Sequence, residues 1–477
     1  MQLAEKCFIL FVQITENFNK FGYYLIHEYP TIIMKNIIPV ERTNILSAGA
    51  LLLGIFTLQQ GAMGQTGITK WQFGKKGAVS ITYDDGSINQ FRKALPIMNR
   101  LKIPGTFFIN TGHIKGSQYH GRFIGRPAET IIESTATLPT NEENFFERAS
   151  AAGFLGYEGG LEYHSRAGAQ YDAGHPEEAF AIMDEFYEKV RNGEMPPDDN
   201  TNDLMKDCEG LTWDSIRLYA SQGHEFASHM VTHPRLAALD EVNMLYELEK
   251  SREEILNQLG PSYTFSAECC YGTENERVME YAYKIYPALR NRMPEPYMEE
   301  LNRSNRNNPG SFPKEYVQWQ RGATTKTPPD LMKSWIDTTA NHDNIWLVLV
   351  FHGVDGIGWE ALGSELLDEY FRYMVSHDNL WIATFADAAK YVRERMNSSL
   401  SVREKSGNII VNLTNSLDKT LYDLPLTLIT YVPSRWKEVR VKQGDKIMHA
   451  LPLRDTLGNY VLYQAYPDSG EIELSAD

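Results

Sequence analysis

From residue 78 onward the chain alternates short apolar runs with amphipathic helical patterns, and no other feature limits its fold as strongly. The runs 78–83, 105–110, 225–228, 263–267, 288–290, 345–351 and 380–384 have the length and composition of buried strands. Each is tied to a helical pattern, at 88–101, 212–222, 240–259, 275–285, 329–339, 365–376 and 386–396. A repeat of this kind predicts an α/β fold whose parallel sheet is buried on both faces, either open or rolled into a barrel.

Two segments break the repeat. Residues 113–211 hold no further strand–helix unit, only a glycine-rich run at 153–174, a helical pattern at 176–191 and a polar Pro-Pro-Asp-Asp-Asn linker at 196–200. A structureless loop of that length does not belong inside a compact domain, so the segment is expected to be a cap inserted after the second strand. Past Met396 the helical pattern stops, and alternating runs at 409–413, 426–431 and 439–441 predict a small β module over 397–477. Every candidate catalytic residue precedes that module, so it is expected to be dispensable for the chemistry.

Residues 1–64 differ from the rest. Lys35 and Arg42 precede the apolar stretch 45–58, which ends near Ala62-Met63-Gly64, the three-part pattern of a secretory signal peptide. A membrane-spanning helix needs about 20 apolar residues, so no span is expected in the mature chain. Signal peptides start close to their charged region, which favours Met34 as the initiator, a mature start near Gln65, and a catalytic domain over 65–396 in the periplasm or outside the cell. Of the four cysteines, Cys208, Cys269 and Cys270 would remain, and buried thiols are the expected state because neighbouring cysteines pair only with strain. With 62 acidic against 46 basic side chains, a formal charge of −16 gives no general attraction to nucleic acid.

Three strand ends carry chemistry. Thr82-Tyr83-Asp84-Asp85-Gly86 closes the first strand. An Asp-Asp-Gly is usually a solvated turn, but ligands of α/β folds bind at this end of the strands, where one carboxylate can hold a metal and its neighbour move protons. His229-Met230-Val231-Thr232-His233-Pro234 follows the third strand, and the two imidazoles would share a face if the segment made one helical turn. Phe351-His352-Gly353 ends the most apolar strand. One Asp and two His suffice to hold a divalent ion with a position left open, and His352 would face the same cleft as a proton donor.

In this order the three motifs resemble the polysaccharide deacetylases of carbohydrate esterase family 4, the NodB homology domain, over residues 75–395 apart from the insert. The resemblance implies an irregular (β/α)7 barrel and a metal-dependent hydrolase that removes acetyl groups from a poly- or oligosaccharide. It implies Asp84 as the base, Asp85, His229 and His233 as metal ligands, His352 as the general acid and the Tyr271 backbone N–H in the oxyanion hole. Zinc is the first choice of ion, although two His and a carboxylate suit other first-row metals. The family's Arg-x-Pro-Tyr motif is altered: in the run 265–272 Tyr271 and Gly272 fit, and the Arg and Pro are absent. Asp84 is therefore expected to be oriented by a residue of the insert, or less firmly than in relatives. Asp330 with Trp335 has the order of a fourth motif but reads better as an amphipathic helix, and His113 and Asp387 read better as structural residues. Trp359 suits sugar stacking and core packing equally. Two other functions fit the scaffold: hydrolysis of C–N bonds outside sugars, and carbohydrate binding without catalysis, against which the retention of all five polar residues argues.

Overall fold

The computed structural model describes residues 65–197, 203–293, 301–302 and 315–477. The expected signal peptide, the Met34 start and most of the linker at 196–200 lie outside the described residues.

In chain order, β1 (Thr66–Ile68) precedes β2 (Gly77–Tyr83), β3 (Thr106–Ile109), β4 (Glu225–Ser228), β5 (Ser266–Ala267), β6 (Ala288–Leu289), β7 (Leu301–Asn302), β8 (Val317–Gly322), β9 (Ile345–Phe351) and β10 (Leu380–Ile382). Strands β2 to β10 form one parallel sheet in the order β6-β5-β4-β3-β2-β9-β8-β7, with β10 also on β2. Strand β2 is its spine: all seven residues are buried, Ala78 through Tyr83 pair with Trp346 through Phe351, and β3 and β10 take its two ends. The sheet curls into an irregular (β/α)7 barrel, and among the described residues no strand pair joins β6 to β7.

The seven expected strands are present, several shorter than expected; β7 and β8 were not expected. Strand β8 alternates Val317, Trp319 and Arg321 with Gln318 and Gln320, a pattern too polar to read as a buried strand. The helices begin where the sequence gives them caps. Asp240 accepts from the Asn243 N–H ahead of helix Glu241–Leu259, and Asn275 accepts from Val278 N–H ahead of Glu276–Ile285.

Strand side chains alternate between two layers. Val79, Ile81 and Tyr83 join Phe91, Phe107, Phe226, Leu347 and Leu349 in the core beneath the outer helices, with Tyr83 stacked on Phe107 at 5.4 Å. The other set, Ala78, Phe108, Ala227, Ala288, Trp346 and Val348, fills the barrel interior.

The segment 113–211 is a helical cap, with helices Ala128–Ser134, Phe145–Phe154, Gly160–Asp172 and Pro176–Arg191 around a core of their own that includes Phe145, Phe180, Met183 and Phe186, followed by helix Asp203–Asp207. Two of the glycines in its glycine-rich run lie inside a helix. A Cβ on Gly160 would lie 2.3 Å from the Ala152 carbonyl, and one on Gly168 2.5 Å from Arg235 Cδ, so these positions permit close packing.

After helix Phe385–Asn397 come β11 (Ser399–Lys405), β12 (Asn408–Thr414), β13 (Leu426–Val432), β14 (Val439–Gln443), β15 (Lys446–Ala450), β16 (Leu453–Arg454), β17 (Asn459–Ala465) and β18 (Ile472–Ala476). They form two antiparallel sheets, β11-β12-β18-β14-β15 and β1-β13-β17-β16. The second recruits β1 from before the barrel, with Thr66 opposite Thr430. Val411, Leu428, Val461 and Leu474 share one continuous core with Trp346 and Phe385 of the barrel. In its packing the β region is thus the closed floor of the barrel, which the expectation of a dispensable module did not foresee.

Candidate active site

The inward-facing rows of the sheet carry the site at their carboxyl ends. Along β2 the row runs Ala78, Ser80, Thr82 and then Asp84; along β9 it runs Trp346, Val348, Val350 and then His352; on β4 Ala227 leads to His229, and on β6 Ala288 leads to Arg290. With a side-chain period of two, an apolar interior is converted into a ring of polar groups one step beyond each strand. They open onto a cleft of about 670 Å³ lined by Asp84, Asp85, His229, His233, Tyr271 and His352, and also by Glu268, Arg290, Gln320 and Trp359.

Asp84 extends the ladder, its N–H donating to the Phe351 carbonyl at 3.0 Å, and the chain then turns sharply at Asp85 (φ 72°) and Gly86 (φ 76°). A non-glycine residue in this left-handed region costs about 1–2 kcal/mol, which the buried surroundings must offset. The turn gives the two carboxylates different neighbours. The Asp84 carboxylate is held by both arms of the Arg290 guanidinium, Nη1–Oδ1 and Nη2–Oδ2 each 2.6 Å, and Arg290 Nη1 also donates to Thr82 Oγ1 at 3.0 Å. Asp85 Oδ1 instead lies 3.5 Å from His229 Nε2 and 3.3 Å from His233 Nε2.

The two imidazoles do converge, but not by a helical turn. Met230 (φ 65°) and His233 (φ 66°) both adopt left-handed backbone, and the loop is wrapped around the buried Glu247 carboxylate. That carboxylate accepts from Val231 N–H at 2.8 Å, Thr232 N–H at 3.0 Å and Thr232 Oγ1 at 2.8 Å. Thr111 and Gly112 N–H groups bind the Met230 and Val231 carbonyls from outside, where a Cβ on Gly112 would sit 2.8 Å from the Val231 oxygen. Glycine is required there by the approach of two backbones.

His352 Nε2 stands 3.5 Å from Asp84 Oδ2, and its ring meets Trp359 edge-on at 4.6 Å. Trp359, 58 % exposed, is carried on a tight loop closed by Gly353 N–H to the Trp359 carbonyl at 2.8 Å. Across the cleft Tyr271, 48 % exposed with φ 59°, packs its ring on His233 at 4.6 Å.

The group that holds Asp84 is Arg290, from the strand after the altered motif, so the expectation of an orienting residue from the insert is not met. Counting back from Tyr271, Glu268 and Cys270 stand where the family pattern has Arg and Pro. The missing positive charge is thus replaced by a carboxylate at its own position, and a guanidinium enters from β6. Arg290 was legible as a strand residue two steps after Ala288; its partner was not, because the pairing crosses 206 residues. Glu268 and Asn291 were missed for the same reason. The insert instead contributes Leu204 to the cleft wall, the Cys208 thiol to the Asp85 carbonyl at 3.3 Å, and His164 Nε2 to the Arg235 N–H at 3.1 Å. Arg235 in turn lies over the Tyr271 ring at 4.7 Å.

Charge in this site follows from its partners. Burial alone would raise the Asp85 carboxyl, but His229 and His233 hold it well below the usual range. Burial opposes charge on His229, yet the Glu268 and Asp85 carboxylates beside it hold it well above its ordinary value. Glu268, although buried, is held down to about 2 by His229 and Arg290. Burial pushes the Cys270 thiol up to about 12, which leaves it protonated at neutral pH. Cys208, Cys269 and Cys270 are all buried and free.

The donor set fits a divalent cation. His229 Nδ1 faces the Glu268 carbonyl at 3.0 Å, so an ion that displaced the Nε2 proton would meet a lone pair directed toward Asp85. Asp85 Oδ1 lies 3.5 Å from one Nε2 and 3.3 Å from the other, the separation of neighbouring ligands about 2.0–2.1 Å from a tetrahedral ion. The buried charges Asp84, Asp85, Glu268 and Arg290 leave two negative charges uncompensated with neutral imidazoles. Elsewhere among the described residues, Trp335 is buried in the outer core on helix Pro329–Asn341, Asp387 lies in the first turn of helix Phe385–Asn397, and burial with the nearby His233 pushes His113 to about 4. None of these lines the cleft.

A parallel barrel with paired carboxylates, two converging imidazoles and a further His at its strand ends defines a hydrolase-type α/β site. Residues 73–140 and 180–285 match the family model for polysaccharide deacetylase, so the α/β domain is similar to this family over that part of its length. A gellan lyase from Bacillus sp. is 25 % identical over 278 residues, 55 % of this chain and 11 % of that protein, so the chain spans about a ninth of the length of this curated relative. Among solved structures, PdaA of Bacillus subtilis, a family 4 carbohydrate esterase, is 13 % identical with a TM-score of 0.30 over 72 % of this chain and 88 % of its own. The chitin deacetylase of Colletotrichum lindemuthianum is 11 % identical with a TM-score of 0.29 over 66 % and 88 %.

Proposed function

We propose that the chain is a metal-dependent carbohydrate deacetylase that hydrolyses acetyl groups from an acetylated poly- or oligosaccharide. The observation that carries this is the division of labour between adjacent carboxylates: Asp84 is clamped by Arg290, and Asp85 shares one oxygen with two imidazole Nε2 atoms. Asp85, His229 and His233 would hold the ion, with zinc the first choice from the donor set. When bound, a divalent cation supplies Lewis acidity to a carbonyl oxygen and lowers the pKa of a water toward about 7.

Asp84 takes the proton from the attacking water as general base, held by Arg290 in one orientation. The Tyr271 N–H, at the kink in its loop, donates to the oxyanion. His352, on the opposite wall and 3.5 Å from Asp84, protonates the leaving nitrogen or oxygen. Tyr271 and Trp359 give the mouth of the cleft two exposed rings for the apolar faces of a sugar. The pattern at 34–64 supports export to the periplasm or medium, and N-terminal sequencing of protein from its host tests it: a product that keeps residues 1–33 refutes export by this route.

The deciding experiment measures bound metal and acetate release over a panel of N- and O-acetylated glycans. Metal-dependent acetate release from at least one glycan is expected. Release of ammonia from non-sugar amides without acetate would favour the other hydrolase reading, and sugar binding without turnover would favour the binding protein.

A further inference from the structure

One buried carboxylate touches both halves of this site. Glu268, at the end of β5, presents two oxygens to His229 Nδ1, its backbone carbonyl at 3.0 Å and, as an ion-pair contact, carboxylate Oε2 at 2.7 Å; Oε1 lies 3.3 Å from Arg290 Nη2 and accepts from Asn291 Nδ2. Arg290 then grips Asp84 through two 2.6 Å contacts, while its backbone carbonyl accepts from Gln318 and Gln320 on β8 at 2.6 and 2.5 Å. The contacts form an unbroken path, Asp85–His229–Glu268–Arg290–Asp84, entirely within buried residues.

We propose that Glu268 is a positioning residue for both halves at once: it fixes His229 so that Nε2 faces Asp85, and it anchors the Arg290 that orients Asp84. The inference rests on the metal-dependent reading above and adds to it a residue that stands, with opposite charge, where the family pattern has Arg. Glu268 approaches His229 from the Nδ1 side, whereas Asp85 and His233 meet its ring system at Nε2. Its place is therefore behind the ligand, where a carboxylate fixes tautomer and ring orientation and typically alters metal affinity 10–100-fold. Its second oxygen does the equivalent work for the guanidinium: without it, Arg290 would keep Asp84 and Thr82 but lose the contact opposite them.

The test uses the full chain, stripped with chelator and titrated with Zn²⁺ against a chromophoric chelator. Wild type and Asp84→Asn should bind one ion with equal affinity. Glu268→Gln, similar in shape but uncharged, should keep the stoichiometry and bind 10–100-fold more weakly. At saturating Zn²⁺, Glu268→Gln and Arg290→Lys should each lower kcat with KM unchanged. The double variant should be no slower than the slower single one, because both act through the pose of Asp84. Should Glu268→Gln fail to fold, Asn291→Ala loosens the same carboxylate and should shift both readouts in the same direction by less. Wild-type affinity and kcat in these variants overturn the proposal, and so does a loss of stoichiometry in Glu268→Gln, which would make Glu268 itself a ligand. If wild type binds no ion, the metal-dependent reading fails first; if it binds and Glu268→Gln is unchanged, only this inference fails.

Discussion

At the amino end of the strands the inward rows read Ala78, Trp346 and Ala288, and run on without a break into Leu428 and Val461 of the β layers; at the carboxyl end the same rows read Asp84, His352 and Arg290. One end is closed by about thirty buried apolar side chains from two parts of the chain. The other leaves carboxylates, imidazoles and a guanidinium out of water, with left-handed backbone at Asp85, Met230, His233 and Tyr271. Burying those charges and holding that backbone cost free energy locally, so the stabilisation must come from the apolar end. The difference teaches that the β region closes the floor and, among the described residues, supplies no side chain to the cleft.

The largest effect expected from this contrast is removal of the floor. A chain ending at residue 397 would expose Trp346, Phe385 and their neighbours and lose β1's partner strand, so it should be insoluble or lack a cooperative melt. A soluble, active product would show that the two regions are independent. At the other end, Asp84→Asn should cut acetate release by something like 10²- to 10⁴-fold with metal retained. His352→Ala should slow an acetamide far more than an activated aryl acetate, whose leaving group needs no proton; equal losses on both would remove His352 from the acid role.

A substitution in the floor should do the opposite of one in the site. Leu428→Ala removes a fully buried side chain and should cost about 2–5 kcal/mol in denaturant melts, with kcat of the folded fraction unchanged. The smallest effect is electrostatic. Glu394, on helix Phe385–Asn397, accepts from the Leu424 N–H at 2.9 Å, and burial pushes it up to about 7. Its folded value lies above its unfolded value near 4.5, so its contribution is fully present below about pH 4.5 and declines as pH rises toward 7. Glu394→Gln should flatten that part of the Tm profile; an unchanged slope would place the pH dependence elsewhere.

The same contrast explains what could be read from the sequence. Strand–helix alternation and the end-of-strand positions of Asp84, Asp85, His229, His233 and His352 are local patterns, and periodicity exposes them. Strand β8 escaped because its inward Gln318 and Gln320 face Arg290 instead of apolar neighbours. In the cap, helix Pro176–Arg191 was legible, whereas the helix that holds Gly160 and Gly168 was hidden in a glycine-rich run because these glycines serve helix packing. The Arg290–Asp84 clamp joins residues far apart in the chain, and no spacing rule reports such a pair. The loop holding His229 and His233 shows a further limit: the i, i+4 spacing was informative, but a buried Glu247 and two left-handed residues bring the rings together where a helical turn was expected.

The most direct test of the account is a paired measurement of bound divalent metal and acetate release for wild type and His233→Ala on one acetylated glycan. Wild type should carry one ion per chain and release acetate, and His233→Ala should lose both, because two remaining ligands hold a divalent ion poorly. Full acetate release from His233→Ala, or from wild type stripped of metal, would contradict it.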